Sequence, residues 1–241
     1  MKEISVLDRE RHIAQESFSA GLSFERASIL INFPKDVSGL TIVDIGAGAS
    51  PAVLGLQEHG AKAIAVDYRY EDLKDLKTSI DRDLSGNRMN QVLSIARGMG
   101  ESIKDTRGDM KQYARSMRKD MGLFFHAHEN RKIQLVAASA GSLPFRDESV
   151  DFIFSIQCIS RFLIKDRDVF INVVSEATRV LRPGGELQLH PWISTVYDWN
   201  KEDKYNAWEL KAYLKEQNMP YFVEQIGSMI SPRLRIVKPS K

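Results

Sequence analysis

The sequence predicts an α/β protein built on a doubly wound, mostly parallel sheet, and three observations carry that prediction. β-rich runs alternate with helical stretches from residue 40 to residue 191, the rhythm of crossover units that lay successive strands parallel. The first run, "TIVDIGAGASP" (41–51), leads from an apolar strand into two glycines spaced by one residue and then into Ser50-Pro51. The second run closes on Asp67, roughly twenty residues further on, where such sheets place a carboxylate for a ribose.

The elements run in this order. Residues 8–33 read as helix in two pieces, with Phe24, Ala27 and Ile31 on one face and Pro34 as the stop. "LTIVDIG" (40–46) is the first strand. Ser50 is a favoured N-cap for the next helix, and Pro51 fits its first position because that N–H would be unbonded anyway. Gly60 suits the left-handed residue at the helix's end. Further strands are "AKAIAVD" (61–67), "KIQLVAAS" (132–139), "VDFIFSI" (150–156) and "GELQLHP" (185–191), the last preceded by the helix "DVFINVVSEATRVL" (168–181). The tail holds a helix over about 205–217 and two short β-rich runs, "YFVEQIG" (221–227) and "RLRIVKP" (233–239), close enough to pair antiparallel.

One segment breaks the rhythm. Residues 68–131 separate the second and third strands, far more chain than one crossover helix needs. Residues 82–132 hold eleven Lys/Arg against six Asp/Glu, and five of the eight methionines fall there (Met89, Met99, Met110, Met117, Met121). "MKQYARSMRKDMGLFF" (110–125) has helical composition, so a helical insertion is expected over 82–131, a candidate lid or acceptor-site element. The expected organisation is a single domain, 1–241, with an N-terminal helical segment (1–37) and this insertion within it.

Composition narrows the classes of function. At 241 residues, 43% apolar and 27% charged, the chain has an ordinary globular make-up. A net charge of +2 implies no polyelectrolyte partner for the molecule as a whole. The single cysteine, Cys158, excludes an intrachain disulfide and fits a reducing compartment. No apolar run approaches the roughly 18–20 residues of a membrane span, and the first residues lack a signal-like apolar stretch, so no membrane association and a cytoplasmic location are expected. The oligomeric state is not legible.

The glycine turn carries the chemistry. Glycine lacks Cβ, so backbone can approach a ligand closely. Dinucleotide-binding turns carry a third glycine where this chain has Pro51. Asp44, just before the glycines, would repel a pyrophosphate and suits a ligand bearing an ammonium or sulfonium.

With these residues in place, the chain resembles the class I S-adenosylmethionine-dependent methyltransferases. The family's acidic residue followed by Gly-x-Gly is matched by Asp44-Ile45-Gly46-Ala47-Gly48, and its acidic residue after the second strand by Asp67. A later family stretch reads here "SAGSLPFRDESVDFIFS" (139–155), and the family's Arg-Val-Leu-Lys-Pro-Gly-Gly reads "RVLRPGG" (179–185). The resemblance implies a Rossmann-like sheet of seven strands with a C-terminal antiparallel hairpin, and S-adenosylmethionine as cofactor with S-adenosylhomocysteine as product.

It also implies roles. Asp44 and the Gly46, Ala47 and Gly48 backbone would face the methionine part, Asp67 the ribose hydroxyls, and Tyr68 the adenine. Ser139 stands where the family usually has an aspartate for the adenine amino group, and Ala140 could offer its N–H to the ring. Ser155, Ile156 and Gln157 would border the transferable methyl. The His pair of many small-molecule members is replaced by Ser160-Arg161, which removes that source of a base.

His190, at the end of the fifth strand, is the candidate base. Trp192 and Tyr197, with Trp199 near them, are candidate walls of an acceptor pocket. His126 and His128 have no partner ligands in sequence, so no metal site is expected, and Cys158 reads as a small buried residue.

The function expected is in-line methyl transfer from S-adenosylmethionine to an O or N of a small molecule. RNA methylation through the basic insertion is the first alternative. A non-catalytic nucleotide-binding or scaffold module is another, and a nicotinamide dehydrogenase is disfavoured by Asp44 and Pro51.

Overall fold

The computed structural model describes residues 5, 8–9, 22–85, 107–160, 163–192, 201–226 and 232–240. Its strands are β1 (Thr41–Ile45), β2 (Lys62–Val66), β3 (Gln134–Val136), β4 (Val150–Ile156), β5 (Leu181–His190), β6 (Tyr221–Glu224) and β7 (Arg233–Val237). They form one seven-stranded sheet in the order β3-β2-β1-β4-β5-β7-β6. β1 pairs parallel with β2 and β4, β2 with β3, and β4 with β5, whereas β7 runs antiparallel to both β5 and β6. The expected doubly wound sheet with a terminal antiparallel hairpin is therefore the observed one. The order reverses direction at β1, so the crevice beyond the carboxyl ends of β1 and β4 is the topological switch point, where ligands bind in such sheets.

Helices cover both faces. On one side α1 (Phe24–Leu30), α2 (Ala52–Glu58), α3 (Leu73–Ser85) and α4 (Arg107–Glu129) pack on Ile42, Ala63, Ala65, Phe152 and Phe154. On the other, α5 (Arg167–Val180) and α6 (Lys201–Glu216) pack on Val43, Ile45, Ile153, Leu187, Leu189 and Ile236. β1 shows why: its residues alternate between the two apolar layers, as the period-2 pleat requires. Among the described residues, no helix is long and apolar enough to cross a membrane.

α4 is the insertion's described helix, and it belongs to the core. Tyr113, Ala114, Met117, Met121, Phe124, Phe125 and Ala127 are buried along one side of it. Burial of each Met or Phe contributes roughly 1.5–3 kcal/mol. Arg26 of α1 fastens the helix from outside, with its guanidinium over the Tyr113 ring and donating to Asp120 at 3.4 Å and Ser116 at 3.2 Å. Residues 86–106, the rest of the long insertion, lie outside the described residues.

Two local predictions are refined. Helix α2 begins at Ala52, one residue after Pro51, and the Ser50 hydroxyl accepts from the Ala52 N–H at 3.3 Å while donating to Leu22 O at 3.0 Å. The "RPGG" segment is absorbed into the β5 ladder as an irregularity: Leu181 pairs with Val150, and pairing resumes with Glu186 opposite Phe152. Gly185 must be glycine there, since a Cβ would stand 2.9 Å from the carbonyl oxygens of Arg182 and Asp151.

Candidate cofactor site

The parallel strands bring the ends of β1 to β5 to one edge of the sheet. Across that edge, in strand order, stand Ser139 after β3, Asp67 after β2, the glycine turn after β1, Gln157 after β4 and His190 closing β5.

The turn has the backbone that glycine permits. Gly46 and Gly48 have φ of 70° and 55°, in the left-handed region. The Gly46 and Ala47 N–H groups both donate to Val66 O, at 2.8 and 3.2 Å, which ties the turn to β2. Asp67 fixes the rest: one carboxylate oxygen accepts from Gly48 N and the other from Arg69 N, each at 2.9 Å. Each carboxylate oxygen has two acceptor positions, so among the described residues one on each is left, the arrangement a vicinal diol would need.

Asp44 and Asp67 are both buried, at 3% and 7% exposure. Burial pushes the carboxyl of Asp44 well above the usual carboxylate range, and the Asp67 charge pushes it further, against a hydrogen bond with Ser50. Burial raises Asp67 as well, opposed by the N–H donors of Arg69 and Gly48. Two carboxyl groups in one dry site ionise together at a cost that a cationic ligand offsets.

The remaining predicted positions surround this pair. Tyr68 opens the 3-10 turn Tyr68–Asp72 after Asp67, is half-buried, and its phenol is pushed up to about 12 by burial, so it is neutral at physiological pH. Ser139 does not stand out as a ligand group in geometry alone: its hydroxyl accepts from Gly141 N at 3.2 Å, closing a tight turn in which Ala140 is buried. Ile156 ends β4, and Gln157 has φ of 67° with its N–H donating to His190 O at 2.7 Å. Ser155 is fully buried, its hydroxyl accepting from Ile159 N at 3.3 Å. His190 is opposite Ile156 and has no exposed surface, and Trp192 is 1% exposed with its ring stacked near Phe170. Tyr197 lies outside the described residues.

Three contacts escape sequence reasoning. Tyr70 donates its hydroxyl to Gly48 O at 2.7 Å, three residues after the acid that holds Gly48 N. Cys158 packs against Gly46. The loop 139–145 is gripped by α5: Asn172 donates to Gly141 O, Glu176 accepts from Leu143 N, and Arg179 donates to Leu143 O and Phe145 O, at 3.2, 2.7, 3.2 and 3.1 Å. The available signal for the last was the co-occurrence of "SLPF" and "RVLRPGG", motifs now seen to touch.

A glycine turn at the switch point, a buried carboxylate that accepts two backbone N–H groups and a second buried acid have the chemistry that suits a nucleoside carrying positive charge. The chain fits S-adenosylmethionine on these grounds: Asp67 would hold the ribose, and Asp44 with the Gly46–Gly48 backbone the cationic aminoacyl end.

Comparison with known proteins agrees. The family described as "Methyltransferase domain" matches residues 104–189, less than half of the chain, spanning α4, β3, β4, α5 and most of β5. "Probable tRNA methyltransferase 9B" of Mus musculus is 40% identical over 63 residues, 26% of this chain and 14% of that protein. Its Homo sapiens counterpart is 41% identical over 63 residues, 26% and 13% respectively. The chain thus spans only a small part of the curated relatives it matches. Among solved structures, a Haemonchus contortus phosphoethanolamine N-methyltransferase 2, in complex with phosphomonomethylethanolamine and S-adenosylhomocysteine, aligns with TM-score 0.51 at 16% identity, covering 99% of this chain and 61% of that one. A chain from the Haloferax volcanii complex between the Trm112 methyltransferase activator and a methyltransferase aligns with TM-score 0.50 at 12% identity, covering 97% and 94%. These two likenesses speak for the fold. With the motif series and the strand order beside the domain match over residues 104–189, the chain resembles the class I S-adenosylmethionine-dependent methyltransferases.

Proposed function

We propose that this protein transfers the methyl group of S-adenosylmethionine to an oxygen or nitrogen of a small molecule. The observation that carries the cofactor half is the buried pair Asp44 and Asp67 around the glycine turn. Bound there, the cofactor supplies a methyl group already activated on a sulfonium. The residues of this chain then have to orient and to exclude water, which accounts for much of the acceleration in such transfers. Ile156 and Gln157 border the methyl position and His190 stands beside them as the candidate base, with Trp192 as an acceptor-side wall.

The small-molecule reading is supported by the short segments after β4 and β5. Residues 157–160 and 191–192 include no Lys or Arg, and Ile159, Ser160, Pro191 and Trp192 are buried. Among the described residues these two segments therefore offer apolar and uncharged polar side chains, while Arg161 and residues 193–200 lie outside the described residues. A second reading, RNA as acceptor, is favoured by the tRNA methyltransferases that share 63 residues with this chain.

Calorimetry with S-adenosylhomocysteine tests the cofactor assignment: saturable binding is expected, weakened by Asp67→Ala, and its absence at high protein concentration would sink it. Incubation with methyl-labelled cofactor and, separately, a metabolite extract or total tRNA tests the acceptor. Label in small molecules supports the first reading, and label in tRNA replaces it with the second.

A further inference from the structure

We infer that Tyr70 is a positioning residue for the cofactor's ribose, acting through the Gly48 peptide and the Asp67 carboxylate. The inference rests on the cofactor reading above and adds a residue to it. Tyr70 lies on the 3-10 turn after β2, 9% exposed, with its ring 5.9 Å from that of Phe124 and inclined to it by 28°. Its hydroxyl donates to Gly48 O at 2.7 Å, while the N–H of Gly48 donates to Asp67 at 2.9 Å. Both polar groups of Gly48 are therefore held from one short segment, 67–70, at the end of β2.

Gly48 needs this restraint. At φ of 55° glycine has no side chain to define its conformation, and rotation of the neighbouring peptide planes would carry its N–H off the carboxylate. Asp67 would then lose one of the two N–H donors that set its orientation, and its free acceptor positions would no longer be fixed for a diol. Phe124, a fully buried residue of α4, backs the Tyr70 ring, so the phenol cannot swing away without disturbing the core. The long helix of the insertion thereby supports the cofactor turn from beneath.

Tyr70→Phe removes the hydroxyl and keeps the ring and its stacking. Its expected signature is about tenfold weaker binding of S-adenosylhomocysteine by calorimetry, the size of one buried hydrogen bond, with a single cooperative melt retained. For the 2′-deoxy analogue the loss should shrink to about threefold or less, because the Asp67–diol contact that Tyr70 orients is already incomplete. A purely structural role would weaken both ligands equally. Equal losses, or affinity for S-adenosylhomocysteine within about twofold of the parent, would overturn the inference. Hydrogen exchange in the ligand-free protein reads the same link without any ligand: the Gly48 amide should exchange about tenfold faster in Tyr70→Phe, and an unchanged rate would refute the restraint. If the parent itself binds no S-adenosylhomocysteine, the cofactor reading fails, and the exchange result still decides the Tyr70–Gly48 restraint.

Discussion

Cys158 fills the space that a side chain on Gly46 would need: an added Cβ would stand 2.2 Å from the Cys158 Sγ and 2.3 Å from its Cβ. The loop after β4 is thus packed onto the turn after β1, and the two strands flanking the switch point are locked at their ends. Gly46→Ala meets this wall and also carries the left-handed φ of 70°. The conformational part costs about 1–2 kcal/mol and overpacking about 1–3 kcal/mol more. A loss of roughly 2–5 kcal/mol in denaturant unfolding is expected. Cys158→Ala should give little relief, because the clash includes Cβ, whereas Cys158→Gly in the Gly46→Ala background should restore the overpacking part. Additive effects of Gly46→Ala and Cys158→Gly would contradict the contact.

The buried acid pair makes both stability and affinity depend on pH, with opposite signs. Burial raises Asp44 well above the ordinary aspartate value of 3.8, and raises Asp67 above the same value. Between 3.8 and the folded values, the folded protein binds more protons than the unfolded chain, so this contribution to stability falls as pH rises through that window and is level above it. A ligand with an ammonium and a sulfonium favours the ionised pair, so its affinity should rise with pH over the same window. Calorimetry of S-adenosylmethionine in buffers of differing ionisation enthalpy should show proton release in the window above the ordinary aspartate value of 3.8, fading once pH passes the raised folded values. Asp44→Asn should remove most of the release. Proton uptake on binding would contradict the assignment.

Arg179 links two stretches that a sequence shows only as separate motifs. Its guanidinium donates to Leu143 O and Phe145 O and pairs with Glu176, which itself accepts from Leu143 N. The Asp147 carboxylate completes the surround. With the side chain 36% exposed, solvent screens the ion pairs, and the backbone contacts are what matter. Arg179→Lys keeps the charge and loses the fork that reaches two carbonyls at once. It should cost about 1–2 kcal/mol in unfolding free energy and speed hydrogen exchange in residues 139–145, while exchange in α4 stays unchanged. Protection of 139–145 equal to the parent's would remove the clamp.

The sheet was legible in sequence because each strand is a short apolar run bounded by turn residues, and because the helices between strands force parallel crossovers. Asp44, Gly46, Gly48 and Asp67 were legible for a related reason: backbone conformation and charge at a strand end are set locally. Tyr70, Cys158 and Arg179 were not, since each acts across a gap in sequence on a backbone atom whose position depends on the whole fold. Gln157 is legible by its place after β4, whereas its positive φ and bond to His190 O depend on β5 lying alongside. The insertion was legible as a helix over 110–125, but its amphipathic pattern is as compatible with a lid as with a core helix. Only the placement of Met117, Met121 and Phe124 against the sheet layer decides it for α4.

That placement yields a sharp contrast between neighbours. Phe124 has no exposed surface and stacks on Tyr70, while Leu123, one residue earlier on α4, is 48% exposed. With α4 in the core, Phe124→Ala removes a fully packed ring and should cost about 3–5 kcal/mol, and Leu123→Ala should stay within about 0.5 kcal/mol. A helix that opens as a lid would give small and similar values for both in global unfolding. Denaturant titration of the two variants measures the difference directly. Because Phe124 also backs the ring that holds Gly48, Phe124→Leu, which keeps apolar volume and loses the stacking, should weaken S-adenosylhomocysteine binding more than Leu123→Ala does. Equal affinities in those two variants would mean that α4 supports the fold without supporting the cofactor turn.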